Sequence, residues 1–383
     1  MKIGIVCYPT YGGSGVVATE LGKALANNGH SVHFITYSQP PRLDVFQPNV
    51  SFHEVSFQNY ALFEFPPYET ALASAMVDVV KNQKLDLLHV HYAIPHASAA
   101  HIAKEILAKE NIFIPIITTL HGTDITLVGK APSYRPVVAY SINESDGVTA
   151  VSNSLKEDTY KNFNVEKEIE VIPNFIDFER FKKTNKEHFK RAIAPEGERI
   201  LIHTSNFRKV KRVQDAVKAF KIIREKVAAK LLLVGDGPER ANIELLCREL
   251  HLCDDVRFLG KQDAVEELLA VADVFLMPSE SESFGLAALE AMACQVPIIS
   301  SNIGGIPEIN IHGKTGFLSD VGNYKEMAKN ALYLLEDDEI LNEFKQNAFS
   351  QAQRFKLENI LPLYEDFYRK IIEKLKQESS VFN

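Results

Sequence analysis

Residues 271–293 constrain this chain more than any other stretch. An apolar run, Val271-Ala272-Asp273-Val274-Phe275-Leu276-Met277, stops at Pro278. A polar turn containing Gly285 follows, and Leu286 to Ala293 has a helix-favouring composition. A short apolar run bounded by turn residues reads as a buried strand, and a buried strand that feeds a helix belongs in a parallel α/β sheet. Anions bind at such a junction, because the first amides of the helix are unpaired and the strand ends open onto a crevice. Yet the segment also carries three carboxylates, Glu280, Glu282 and Glu290. Amides that hold negative charge beside acids that hold hydroxyls suit a ligand with both, such as a nucleotide sugar. A plainer reading stays open: Glu280 and Glu282 as first-turn carboxylates complementing the helix dipole, and Glu290 as a solvated helix residue.

The same strand–turn–helix order recurs in two successive arrays, as expected of a 383-residue chain too long for one typical domain. The first array opens with the strand Ile3-Gly-Ile-Val-Cys7, the turn Tyr11-Gly12-Gly13-Ser14-Gly15 and a helix from Val16 to Ala26. That turn is neither GxGxxG nor a P-loop, so it reads as an anion-binding turn or simply as a tight one. Strands are expected at 32–36, 84–92, 112–120 and from Asp146, a helix at 70–82, and loops around short strands from 38 to 67. Two strands end in polar side chains, His89-Val90-His91-Tyr92 and Thr118-Thr119-Leu120-His121-Gly122-Thr123-Asp124. His89, His91 and His101 read as structural, since no metal-ligand spacing joins them. Ser152 and Asn153 cap the helix after the Asp146 strand, the stretch 182–191 reads as charged and solvated, and a rigid Pro173-Asn174 turn marks the domain boundary.

The second array opens with Arg199-Ile-Leu-Ile-His-Thr204. Arg208, Lys209, Lys211 and Arg212 then crowd the turn before a helix expected from Val213 to Lys226. Clustered cations are usually solvated surface. At a strand-to-helix junction, however, they also suit a phosphate whose charge grows as a bond breaks.

Composition excludes several classes. A formal charge of −8 argues against a nucleic-acid partner. No apolar run approaches the ~20 residues of a membrane span, and the N-terminal strand is too short for a signal peptide. The four cysteines form no CxxC pair, which suggests free thiols in a reducing cytoplasm.

The string Glu282-Ser-Phe-Gly-Leu-Ala-Ala-Leu-Glu290 resembles the Glu-x-Phe-Gly-x-x-x-x-Glu motif of retaining glycosyltransferases of the GT4 family. Further segments are similar to that family: Gly13-Ser14-Gly15, His121-Gly-Thr-Asp124, Ile172-Pro-Asn174, Gly235-Asp-Gly-Pro238, Gly304-Gly-Ile-Pro-Glu308 and Gly313-Lys-Thr-Gly316. The resemblance covers nearly the whole chain. It implies the GT-B fold: α/β, with two doubly wound Rossmann-like domains facing across a cleft. Residues 1–173 would bind the acceptor and 174–354 the nucleotide-sugar donor, with a C-terminal helix, 355–383, packing back onto the first domain.

It also implies roles. Glu282 and His121 would contact the transferred sugar and Glu290 the ribose. Gly13, Gly15, Ser283, Phe284, Gly285 and Leu286 would place amides at the diphosphate, and Lys261 and Gln262 would lie at the base. Lys211 would neutralise the leaving diphosphate. The family's usual Arg falls on Asn206, so either Asn206 or Arg208 takes that part. Ser152 would lie at the end of the last strand of the first domain. No Asp-x-Asp occurs, so no metal and no cofactor are expected.

The runs 7–15 and 203–213 resemble the branch of the family that uses UDP-N-acetylglucosamine (UDP-GlcNAc) as donor and L-malate as acceptor in bacillithiol biosynthesis. Ser14, Tyr92, Thr118, Thr119 and Asn153 are then the acceptor candidates. A family member acting on a lipid-linked or polysaccharide acceptor is the enzymatic alternative, and a non-catalytic nucleotide-sugar sensor is the other. Homo-oligomerisation stays open.

Overall fold

A computed structural model of the protein describes residues 1–57, 64–184 and 186–381. Parts of three expected segments, namely 58–63 of the loop region, 185 of the charged stretch and 382–383 of the last helix, lie outside the described residues.

The chain divides into two compact units, Met1–Asn174 together with Leu357–Asn383, and Phe175–Lys356. The first holds strands β1 (Lys2–Val6), β2 (Ser31–Thr36), β3 (Val50–Glu54), β4 (Leu87–His91), β5 (Ile116–Leu120), β6 (Gly147–Ala150) and β7 (Ile169–Val171). They form one seven-stranded sheet in the order β3-β2-β1-β4-β5-β6-β7. All pairings are parallel. The central strand β1 is buried on both faces, as strands of a parallel sheet are; Ile3, Ile5 and Val6 are fully buried. Strand order reverses direction between β1 and β4. In a parallel sheet this leaves a crevice at the C-terminal ends of those two strands, with no crossover connection to fill it.

The sequence expects the Asp146 strand to close this sheet. β7 lies beyond it, pairing Val148 with Ile169 and Ala150 with Val171, so an edge strand runs up to the Pro173-Asn174 turn. Three residues are enough for a strand when an existing edge supplies the hydrogen-bond partners. The turn at 11–15 also differs from expectation. The first helix already begins at Gly13 and runs to Asn27, which puts Gly13, Ser14 and Gly15 in its opening turn. A side chain at Gly15 would come within 2.5 Å of the carbonyl oxygens of Tyr8 and Thr10, so only glycine lets the helix start so close to the end of β1.

The C-terminal helix, Leu357–Val381, belongs to the first unit. It buries Tyr364 and Tyr368 completely. The Tyr368 hydroxyl hydrogen-bonds His89 Nδ1 at 2.8 Å, and Phe367 fills the space over Gly147, where a Cβ would meet its ring at 2.8 Å.

The second unit contains β8 (Arg199–Thr204), β9 (Ala229–Val234), β10 (Val256–Gly260), β11 (Val274–Met277), β12 (Ile298–Ser301) and β13 (Gly316–Ser319). The order β10-β9-β8-β11-β12-β13 gives a second parallel sheet with its own reversal, between β8 and β11. Its core packs Val217, Phe220 and Ile223 of one helix with Leu231, Leu233, Ala331 and Leu335. The stretch read as solvated, 182–191, holds the start of a short helix, Glu187–Ile193, whose Ile193 is buried.

Candidate active site

In the second unit the candidate residues lie at the C-terminal ends of the strands, on the loops there and, for Leu286 and Glu290, on the helix that one of them starts. The loop after β8 ends in one 3₁₀ turn, Lys209–Lys211. Arg212 then adopts a left-handed φ of 48° and starts the helix Val213–Arg224. The loop after β11 runs from Pro278 to Gly285 and starts the helix Leu286–Ala293. These loops flank the β8/β11 reversal and are tied across it. The Glu280 amide donates to the Val210 carbonyl at 2.9 Å, and Lys211 Nζ reaches Glu282 Oε1 at 2.5 Å. The buried Ser279 hydroxyl donates to the same oxygen at 2.9 Å.

The dipole-complementing reading of Glu280 and Glu282 therefore fails: both precede the helix by several residues, and no acid occupies its first turn. Glu282 is instead a partly buried carboxylate held by a cation and a hydroxyl. Two of the four clustered cations are already paired, Lys211 with Glu282, and Arg212 with Asp215 at 2.6 Å and Glu280 at 3.5 Å. Arg208 and Lys209 are exposed and form no ion pair among the described residues.

The loop after β12 supports this arrangement from below. Gly304 has φ +58°, and a Cβ there would lie 1.9 Å from the Glu282 carbonyl oxygen; at Gly305 it would lie 2.3 Å from that of Ser283. The Gly305 amide donates to the Glu282 carbonyl at 3.0 Å. Gly-Gly thus lets one loop rest on the other backbone to backbone and fixes Glu282, Ser283 and Phe284. The sequence shows this glycine pair but not what it touches. On the other flank the Glu239 amide donates to the Phe207 carbonyl at 3.0 Å, so the Gly235–Pro238 turn braces the cation loop beside exposed Asn206. Lys261 and Gln262 are exposed just past β10, with Gln262 Nε2 donating to the Leu259 carbonyl at 2.6 Å. Glu290 is half-buried in the second turn of its helix.

In the first unit the β1/β4 reversal is spanned by a hydrogen bond of 2.7 Å between the hydroxyls of Ser14 and Tyr92. Tyr92 has a left-handed φ of 86°, a strained conformation for an aromatic residue of the kind that gathers at binding sites. Burial pushes its hydroxyl up to about 12, so it stays protonated. Tyr8 packs edge-on against Tyr92 at 5.5 Å, and the His121 ring lies 5.3 Å from Tyr92 on another side. Behind them, Asp124 is buried and accepts from the amides of Ala93 and Gly122 at 3.0 Å each. Burial outweighs those amides and raises its carboxyl to about 6. A cavity of about 570 Å³ opens here, lined by Tyr8, Glu69, Tyr92, Thr123, Asp124 and Tyr134 among others.

Thr118 and Thr119, expected to face the acceptor, do not. Both are fully buried; Thr118 pairs with Ser145 at 2.8 Å, and Thr119 with Thr149 and His89 at 2.7 Å each. Their hydroxyls serve as internal ties of a sheet covered on both faces, a state that strand position alone does not reveal. Asn153 opens the helix Asn153–Asn162, and Ser152 caps it by accepting from the Leu155 amide at 3.0 Å, so Ser152 is committed to its own helix. His89, read as structural, bridges Thr119 and Tyr368 deep in the unit.

Residues 11–180 match the family described as Glycosyltransferase Family 4, and residues 184–351 match Glycosyl transferases group 1. Over 374 residues, 97% of each chain, the sequence is 50% identical to a Bacillus anthracis protein named N-acetyl-alpha-D-glucosaminyl L-malate synthase. The chain belongs to glycosyltransferase family 4. Solved structures agree on the fold of this glycosyltransferase. Sucrose-phosphate synthase from Thermosynechococcus elongatus superposes with a TM-score of 0.80 at 21% identity, covering 98% of this chain and 100% of that one. Anabaena Alr3699/HepE, solved in complex with UDP and glucose, gives 0.80 at 20% identity over 99% of both. The two parallel-sheet, Rossmann-like units are those of the GT-B class. Among the described residues no helix is long and apolar enough to cross a membrane.

Proposed function

We propose that this glycosyltransferase moves N-acetylglucosamine from UDP-GlcNAc to the hydroxyl of L-malate with retention of configuration, the first step of bacillithiol biosynthesis, in the cytoplasm. The observation that carries the substrates is the 50% identity to the Bacillus anthracis synthase across almost the full length of both chains. In this reading residues 174–354 hold the donor. Residues 1–173, with the C-terminal helix from 355, hold the acceptor.

Breaking the anomeric bond puts growing negative charge on the departing phosphate and positive character on the sugar ring. Lys211 faces that charge from the loop after β8, with exposed Arg208 and Asn206 beside it. The amides of Ser283, Phe284, Gly285 and Leu286 add partial positive charge from the loop after β11. Glu282, held by Ser279 and Lys211, takes a sugar hydroxyl, and Glu290 takes the ribose hydroxyls. Lys261 and Gln262 contact the base. In the first unit Gly13 and Gly15 give the opening helix turn its approach to the diphosphate, and His121 contacts the sugar. Ser14, Tyr92 and Asn153 receive the acceptor. Attack comes from the face the leaving group departs, with the phosphate assisting removal of the acceptor proton.

UDP release measured across a panel of small acids, sugars and lipid acceptors tests the proposal. Malate-dependent release supports it. Release only with a lipid-linked or polysaccharide acceptor assigns a different acceptor, and no release with any acceptor leaves a sensor.

A further inference from the structure

Four histidines, His89, His91, His96 and His121, gather around β4 and the end of β5, and the proposed chemistry uses one of them. His91 is fully buried, and its Nδ1 lies 2.8 Å from His121 Nε2, with the two ring centroids 5.0 Å apart and their planes inclined by 26°. The His89 ring lies 4.4 Å from that of His91. His96 Nδ1 donates to the His91 carbonyl. His91 Nε2 is buried with no hydrogen-bond partner among the described residues.

A hydrogen bond between two neutral imidazoles needs one N–H and one lone pair, so only two arrangements are open. In one, His121 Nε2–H donates to His91 Nδ1. The only proton of His91 then sits on Nε2, a buried N–H with no acceptor. In the other, His91 Nδ1–H donates to His121 Nε2, and the unpartnered His91 Nε2 is a bare lone pair. Orphaned buried N–H groups are rarer than under-used acceptors. His96 beside it shows the second pattern: a carbonyl can only accept, so its proton is on Nδ1 and its buried, unpartnered Nε2 is the lone pair.

We infer that His91 is a positioning residue that holds His121 in the tautomer protonated at Nδ1, so that His121 offers the substrate an N–H donor and no base. Its purpose in the reaction rests on the proposed contact between His121 and the sugar; the tautomer itself does not. A donor at this point holds a sugar hydroxyl oxygen. Removal of the acceptor proton then falls to the leaving phosphate.

The test uses the intact protein with ¹⁵N-labelled histidine. Ring-nitrogen shifts of His121, assigned through His121→Gln, should show a protonated Nδ1 and an unprotonated Nε2. In His91→Leu this preference should weaken and kcat fall by about tenfold with little change in malate KM, the loss of one hydrogen bond made in the transition state. His91→Asn, whose amide nitrogen replaces Nδ1–H, should restore both, and circular dichroism checks that each variant is folded. A His121 protonated at Nε2 in the unsubstituted protein overturns the inference, as does a tautomer unaffected by His91→Leu. If His91→Leu flips the tautomer but leaves kcat unchanged, His91 still sets the tautomer, and the proposed sugar contact of His121 is what fails.

Discussion

At the scale of single residues, Lys211 and Glu282 carry the sharpest consequences, because each is the other's partner at 2.5 Å. Replacing Lys211 with Ala removes the cation proposed to face the diphosphate and leaves a partly buried carboxylate with Ser279 as its remaining side-chain partner among the described residues. We expect kcat to fall by roughly 10²–10³-fold, the usual loss for a group that stabilises developing charge. Lys211→Arg should recover only part of this, since a planar fork does not fit a site built for a compact ammonium. A steady-state comparison of both variants checks the point; kcat within about threefold of the parent would remove Lys211 from the chemistry. For Glu290→Ala the expected loss is in nucleotide binding, about tenfold in UDP affinity by titration calorimetry for one charge-assisted hydrogen-bonding group. Unchanged affinity would end its ribose role.

These residues were legible in the sequence because motif spacing survives without coordinates. Asn206 and Arg208 stay alternatives for the family's usual Arg, since both are exposed on a loop braced by Glu239. The parts of Ser279 and Asp124, and the contact of structural His91 with His121, were not legible, because nothing in the sequence tells which partner a buried polar residue finds inside.

At the scale of elements, the loops work by resting on one another. Gly304→Ala places a methyl group where the Glu282 carbonyl oxygen lies, 1.9 Å away, at a φ of +58°. One loop must move, at a cost on the order of 2 kcal/mol. Because the displaced segment holds Glu282 and Ser283, donor affinity should fall along with the melting temperature. A thermal scan and a donor KM measurement check both, and a variant matching the parent in each would show that the contact does not position the β11 loop. The helix at Gly13 makes a related point. Its apolar pattern from Val16 to Ala26 was legible, but its first turn was not, because the start depends on whether the backbone can pass close to Tyr8 and Thr10. Strand β7 was missed for a similar reason: an edge strand of three residues owes its existence to the neighbour that supplies its ladder.

At the scale of the whole molecule, each unit repeats one plan, and each brings candidate residues to the reversal in its strand order. The Ser14–Tyr92 bond spans one reversal and the Lys211–Glu282 pair the other. The first unit also concentrates buried histidines. Burial pushes His89 down to about 3 and His96 to about 4, and holds His91 well below its ordinary value with help from the neighbouring histidines. The unfolded chain protonates its histidines near 6.5. The stabilisation is therefore fully present above pH 6.5 and is lost as pH falls, by about 1.4 kcal/mol per histidine for each pH unit until the folded values are reached. Asp124, raised to about 6, works the other way: its cost is greatest above pH 6 and is relieved as the carboxyl protonates. His121, lowered to about 3, and His33, lowered to about 4, add to the same effect, whereas β8 carries one such group, His203, lowered to about 4. The first unit's histidines outweigh its one acid and outnumber that single residue, so β4 amides should lose hydrogen-exchange protection between pH 6 and 5 sooner than β8 amides. Equal loss in both sheets would show that the histidine cluster does not set acid stability.

The sequence by itself determined the parallel α/β class, the two βα arrays and the spacing of Glu282 and Glu290. Each of these is written in local patterns: apolar runs, glycine turns and fixed spacings between acids. Only the tertiary structure decided that Thr118 and Thr119 face inward, that Lys211 already holds Glu282, and that His91 stands behind His121. Those facts depend on which distant segment covers which side chain. A hydroxyl, an ammonium or an imidazole has no fixed role until the surrounding fold has removed its water and given it a partner.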